Sequence, residues 1–207
     1  MKEVFVGKRN YWENSISKGD LVLDIGCWRG AKVSELRKRG VNAFGMDIDE
    51  EKLKMSDKKL NLKQGDVTKK IPFNRKFDWV IFGEVLEHIS NDELALKNIS
   101  KSLKNGGKLI LSTPRNVPFF EFWDPAWVRW KFLGGQRHHH YTQKELWDKM
   151  KRNGLEVKEY YVIGNFIWVL NRWINVFLQY LFRLNKISFS KELKGFCDWV
   201  ILAEKVG

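Results

Sequence analysis

Leu21-Val22-Leu23-Asp24-Ile25-Gly26-Cys27-Trp28-Arg29-Gly30 is the stretch that decides the fold. A short apolar run ends in Asp24, a turn punctuated by Gly26 and Gly30 follows, and Ala31 to Arg39 has helical composition. This order predicts a buried strand, a tight loop and a helix start. At the carboxyl end of a parallel strand, such a loop aims backbone N–H groups and a helix N-terminus at a ligand.

The chain downstream repeats the pattern. Gly40 closes the helix, and Val41 to Met46 form a second apolar run that ends in Asp47-Ile48-Asp49. Asp47 stands roughly 20 residues past the glycine loop, where a dinucleotide fold places an acid for ribose hydroxyls. Glu50 to Lys59 reads as a second helix, and Leu60 to Asp66 as a short third strand ending in a carboxylate. Phe77 to Phe82 is apolar almost throughout, which predicts a fourth strand buried on both faces. Gly83-Glu84-Val85-Leu86-Glu87-His88 turns off its end. Ser90-Asn91-Asp92-Glu93 reads as a capping box for a helix to about Lys104, stopped by Asn105-Gly106-Gly107, with Lys108 to Ser112 as the fifth strand. Upstream, Tyr11 to Ser17 suggests a short helix whose Tyr11-Trp12 pair packs on the sheet edge or forms a flap, and packing is favoured.

Alternation of strand and helix argues for a parallel sheet covered on both faces. Residues 117–140 break it: they are aromatic, carry Pro118 and Pro125, and read as an irregular insertion on the substrate side. Thr142 and Glu145 form a second capping box, for a helix ending at Asn153-Gly154. Leu155 to Val162 and Cys197 to Glu204 are the sixth and seventh strands. Between them, Asn165 to Arg183 is apolar except for a narrow stripe of Asn165, Asn171, Arg172, Asn175, Gln179 and Arg183. Such a helix packs into its own domain, lines a dimer interface, or lies in a membrane surface; its arginines and amides argue against a spanning segment.

The bulk numbers narrow the class. The chain has 207 residues, 43% of them apolar, and a net charge of +12, so anionic partners are favoured. Its basic residues are dispersed rather than clustered, which fits a solvated surface as well as a binding patch. Cys27 and Cys197 have no Cys or His companion at metal spacing, which points to a reducing compartment. Met1 to Val6 lacks an apolar leader, so a cytoplasmic location, with peripheral membrane contact as a variant, is expected.

Together, Asp24-Ile25-Gly26-Cys27-Trp28-Arg29-Gly30, Asp47, Gly65-Asp66, Phe77-Asp78 with Glu84-Val85-Leu86-Glu87-His88, and Gly106-Gly107 resemble the ordered motifs of class I S-adenosylmethionine-dependent methyltransferases. They cover about residues 20–115. Tyr141-Thr142, Glu145-Leu146 and Gly154-Leu155 are similar to the small-molecule branch that includes ubiquinone-biosynthesis O-methyltransferases. The resemblance implies an α/β, Rossmann-like, seven-stranded, mostly parallel sheet in the order 3-2-1-4-5-7-6, with strand 7 antiparallel and helices on both faces. It implies one methyltransferase domain over 1–207, with a cofactor core at 20–115, a lid at 117–140 and a helical insertion at 165–185. S-adenosylmethionine is the implied cofactor and S-adenosylhomocysteine the product. Asp24 and the backbone of Gly26, Cys27, Trp28 and Gly30 would meet the methionine and ribose portions. Asp47 would take the ribose hydroxyls, Ile48 and Val67 would meet the adenine with Asp66, and Gly83 and Glu84 would close the methionine side. Trp28 departs from the family's glycine. It fits only with an ordinary backbone conformation and a ring that points away or covers the ligand.

A sulfonium methyl is already activated, so the protein mainly aligns a nucleophile. An oxygen nucleophile calls for a base, and His138, His139 and His140 follow the aromatic insertion. Glu84, Glu87 and His88, at i, i+3 and i+4, could share one helix face; in the ubiquinone-type relatives this pattern resembles a divalent-metal site, and no metal is assigned here. The expected acceptor is a small lipophilic or anionic molecule, methylated at O or N. The alternatives are a nucleic-acid or protein methyltransferase, drawing on the charge of +12, and a non-catalytic cofactor-binding partner. No RNA-binding module and no Asn/Asp-Pro-Pro motif after the fourth strand supports the nucleic-acid reading.

Overall fold

The computed structural model describes residues 1–4, 10–183 and 194–207. Its sheet has eight strands: β1 (Lys2–Glu3), β2 (Leu21–Ile25), β3 (Asn42–Asp47), β4 (Leu62–Gln64), β5 (Phe77–Gly83), β6 (Leu103–Pro114), β7 (Leu155–Ile163) and β8 (Asp198–Lys205). Their order is β1-β7-β8-β6-β5-β2-β3-β4. β8 runs antiparallel to both β6 and β7, and every other pair is parallel. The expected order is therefore present, with one strand more than the seven expected. The addition is β1, whose two residues pair with Glu159 and Tyr160. A two-residue strand carries no periodicity, so no pattern could announce it.

Alternation along the central strands splits the core into two layers. Leu23, Val80, Phe82, Leu109 and Leu111 face one side, with Ala95, Leu96 and Ile99 of α3 (Asp92–Ser102) and Leu146 and Met150 of α5 (Gln143–Arg152). Val22, Trp79, Ile81 and Ile110 face the other, with Val33 and Leu36 of α1 (Ala31–Lys38) and with Trp12 and Ile16. Trp12 lies in the 3-10 helix Tyr11–Ser15, its ring 4.8 Å from that of Tyr161, and its Nε1 donates to Glu159. The residue thus packs on the sheet.

Several boundaries differ from the sequence reading. The second helix, α2 (Glu50–Lys54), has five residues rather than ten. Asn91, not Ser90, caps α3 by accepting from the Leu94 N–H, while Glu93 turns to Arg152 and Asn153. α3 ends at Ser102, and Asn105-Gly106-Gly107 lies inside β6, where the register against β5 is irregular. A Cβ on Gly107 would sit 2.8 Å from the Lys104 carbonyl, so the bulge needs glycine there. Residues 117–140 hold a 3-10 turn, Glu121–Trp123, and α4 (Pro125–Leu133), capped by Asp124. Thr142 caps α5 as expected, with its hydroxyl accepting from the Glu145 N–H.

The last helix, α6 (Phe166–Phe182), turns much of its apolar face outward. Phe166 is 69% and Leu170 55% exposed, while Asn171 is buried and Arg172 reaches inward. Only part of the helix is therefore buried within its own domain: Val169 is, and Trp168 packs against Trp123. Of the polar stripe, Arg172 meets the buried Asp124, and Gln179 is exposed. Residues 184 and 185 of the expected insertion lie outside the described residues. No helix among the described residues is long and apolar enough to cross a membrane.

Leu111 sits fully buried on the central strand β6. Leu111→Ala is expected to lower unfolding free energy by about 2–5 kcal/mol. In urea melts the midpoint should fall with the slope unchanged; a shift under about 0.5 kcal/mol would mean that this layer is not close-packed.

Candidate active site

The loop after β2 is fastened to the end of β3. The Met46 carbonyl accepts from the N–H groups of both Gly26 and Cys27, at 2.8 and 3.0 Å. Asp47 accepts from the Trp28 N–H at 2.7 Å with one carboxylate oxygen and from the Asp49 N–H at 2.9 Å with the other. Gly26, Trp28 and Gly30 all have left-handed backbones, with φ of 78°, 50° and 77°. The expectation of an ordinary backbone at Trp28 is thus wrong. A non-glycine residue in that region costs roughly 1–2 kcal/mol, here held by the Asp47 bond. The Trp28 ring is 53% exposed and lies 4.7 Å from the Arg29 guanidinium. Gly26 is pinned by space as well, since a Cβ would fall 2.3 Å from Val85.

Asp24 lies beneath this loop and is buried. Burial pushes its carboxyl up to about 7, against the pull of the nearby Lys32. Lys32 itself is bound to the buried Glu13. The Cys27 thiol is buried and pushed up to about 12, first by burial and then by Asp24, so it is not a nucleophile at neutral pH. Asp66 accepts from the N–H and hydroxyl of Thr68, which is a local turn. Val67 is buried, and Ile48 is exposed. Gly83 ends β5, and Glu84 follows with φ of 57°. Glu84 donates its N–H to the Ser112 carbonyl, and its carboxylate accepts from the Ser112 hydroxyl at 2.8 Å. The sequence-predicted residues therefore line the carboxyl ends of adjacent parallel strands.

Beyond Glu84 the chain gathers a second polar group. Glu84, Glu87 and His88 do not share a helix face: Glu84 is bound to Ser112, and only Leu86–His88 is helical, as a 3-10 turn. Glu87 is 1% exposed, and burial together with Glu84 holds its carboxyl well above the usual range. His88 lies 2.7 Å from the Arg137 carbonyl through Nδ1, so that nitrogen carries the proton and Nε2 is the acceptor. Burial also lowers the His88 imidazole below its ordinary value.

The three consecutive histidines separate. His139 is partly exposed and pairs with Glu145 at 3.0 Å. His138 and His140 are buried, and both turn Nε2 toward one oxygen of Asp124, at 2.7 and 3.2 Å. The other oxygen accepts from Arg172 at 2.6 Å and from the Ala126 N–H. Burial would raise the Asp124 carboxyl, but His138, His140 and Arg172 outweigh it and hold it well below the usual range. Sequence reading missed Asp124 and Arg172. The only signal was Asp124-Pro125, a helix cap followed by a first-turn proline.

Between α4 and α6 runs an open groove of about 980 Å³, lined by Val128, Trp173, Val176, Arg129 and Arg172. Phe119, Phe122 and Phe132 stand exposed on the same insertion.

A family model described as a methyltransferase domain matches residues 8–160, well over half the chain. A ubiquinone biosynthesis O-methyltransferase of Coxiella burnetii is 31% identical over 111 residues, covering 50% of this chain and 47% of the relative. A demethylmenaquinone methyltransferase of Lactobacillus johnsonii is 30% identical over 129 residues, covering 53% of each. The chain thus spans about half the length of these curated relatives. The crystal structure of an S-adenosylmethionine-dependent methyltransferase from Mesorhizobium loti superposes with a TM-score of 0.67, at 15% identity, over 96% of this chain and 99% of that one. A strand order with an antiparallel last strand, a glycine loop tied to an acidic second strand and this match agree: the chain belongs to the methyltransferase-domain family.

Proposed function

We propose that this protein transfers a methyl group from S-adenosylmethionine to an oxygen or nitrogen of a small lipophilic acceptor. The observation that carries the reading is Asp24, a buried carboxylate under a glycine loop that Asp47 holds in place. Burial pushes its carboxyl up to about 7 despite the pull of Lys32, and the cofactor would bring an ammonium and a sulfonium to it. The residues therefore suit the group. Asp24 would hold the amino end, and the backbone of Gly26, Cys27, Trp28 and Gly30 would pass along the methionine and ribose. Asp47 keeps lone pairs for the ribose hydroxyls after accepting two N–H bonds. Ile48, Asp66 and Val67 would flank the adenine, with Gly83 and Glu84 on the methionine side.

The cofactor supplies an electrophilic methyl when bound. What the chain must add is orientation and a place for the acceptor's proton. Of the histidines, His139 is turned to Glu145, and His138 and His140 to Asp124. His88 is the better candidate base, because its proton is held on Nδ1 by the Arg137 carbonyl and Nε2, 3.8 Å from Glu87 Oε1, has a lone pair to accept with. The groove between α4 and α6 and the exposed phenylalanines support an apolar acceptor. The relatives' names point to a quinol-type hydroxyl. The outward face of α6 is then a contact surface, for a second copy or for a lipid surface.

Calorimetric titration with S-adenosylmethionine tests the pocket. Asp47→Ala is expected to weaken binding roughly tenfold or more, and unchanged affinity would place the cofactor elsewhere. Asp24→Asn tests the charge. The folded-state value of Asp24, about 7, lies above its ordinary 3.8, so its burial subtracts stability progressively as pH rises from about 4 to 7. Asp24→Asn should flatten that loss in melting temperature measured against pH while weakening cofactor binding. An unaltered pH profile would remove Asp24 from the argument. Transfer of labelled methyl to a quinol bearing an apolar tail, against a nucleic acid control, tests the acceptor class; label found only in nucleic acid would overturn it.

A further inference from the structure

We propose that Asp124, His138 and His140 form a binding site for a divalent transition metal of the zinc class, apart from the cofactor loop. The three side chains come from the insertion and the segment just before α5, and offer ligand atoms all within 4.8 Å of one another. They supply two imidazoles and one carboxylate, the nitrogen-rich set that zinc takes, whereas magnesium and calcium take oxygens. All three are buried.

The outer ring nitrogen of His138 and of His140, Nδ1, is buried with no hydrogen-bond partner among the described residues. His138 is 6% exposed, and neither of its ring nitrogens has a hydrogen-bond partner among the described residues. Its Nε2 stands 2.7 Å from Asp124 Oδ2, the oxygen that His140 Nε2 also meets at 3.2 Å. Both imidazoles thus converge on one oxygen. Zinc–ligand bonds of about 2.0–2.2 Å at tetrahedral angles put ligand atoms roughly 3.3 Å apart. The observed 2.7 and 3.2 Å are within a small side-chain movement of that spacing.

The surroundings orient the ligands as a metal site requires. Arg172 and the Ala126 N–H occupy Asp124 Oδ1, which leaves Oδ2 for the ion. Trp123 and Trp127 both stack on His140, with centroids at 5.1 and 5.8 Å, and orient its ring plane. Three protein ligands leave a fourth position for water or an acceptor oxygen. Glu87, His88 and His138 also converge, so His138 is common to two sets and the test must separate them.

The test is Zn²⁺ titration of the full chain, with metal content by mass spectrometry and folding by circular dichroism. One zinc per chain is expected. His140→Phe keeps an aromatic ring against the tryptophans and should weaken Zn²⁺ binding at least a hundredfold, while His88→Gln leaves it within a factor of two. Should His140→Phe fail to fold, anomalous diffraction from zinc-soaked wild-type crystals locates the ion, expected against both Nε2 atoms. The proposal is overturned by a folded wild type that takes up no zinc, by loss of binding in His88→Gln, by retention in His140→Phe, or by an anomalous peak at Glu87 and His88.

Discussion

The site rests on one junction, the common end of β2 and β3. A single carbonyl, that of Met46, receives two successive N–H groups of the loop, and the next residue, Asp47, receives a third. The loop cannot shift without breaking all three. Because β2 and β3 are parallel neighbours, their carboxyl ends come out side by side, and a carboxylate on one strand can discipline the backbone of the other. This explains how a tryptophan stands in a left-handed backbone where glycine would be unstrained. The strain is local, and the bonds around it over-determine the conformation.

Legibility in the sequence followed burial. β2, β5 and the core of β6 could be read because strands covered on both faces must be apolar throughout. The glycine loop, Asp47 and the turn at Gly83 could be read because their spacing is fixed by the strand–loop–helix unit. The extension of β6 back to Leu103 could not, since Asn105-Gly106-Gly107 looks like a stop and becomes a bulge only when β5 is present to pair. Nor could the backbone of Trp28, which depends on a bond to a residue 19 positions away. Which side α6 turns inward was left open for a related reason. Arg172 faces Asp124, 48 residues before it, and nothing in the helix's own pattern shows that pairing.

The insertion after β6 is organised differently from the cofactor half. There the backbone makes the pocket, and here side chains do. Asp124 caps α4, fastens α6 through Arg172 and receives two histidines, so one buried carboxylate joins three segments of chain. Desolvating such a charge is expensive, and four polar contacts offset it. Its position depends on the insertion being closed over it. The arrangement of α4 against α6, and with it the groove between them, is therefore linked to the state of one acid.

The strands that end the sheet bear on how the molecule behaves in company. β1 has two residues and β4 three, and they read Lys2-Glu3 and Leu62-Lys63-Gln64. Interior strands this apolar would template further strands if they lay at an edge. Among the described residues, the edges are short stretches that carry charge, and such edges offer a neighbour few backbone groups to pair with.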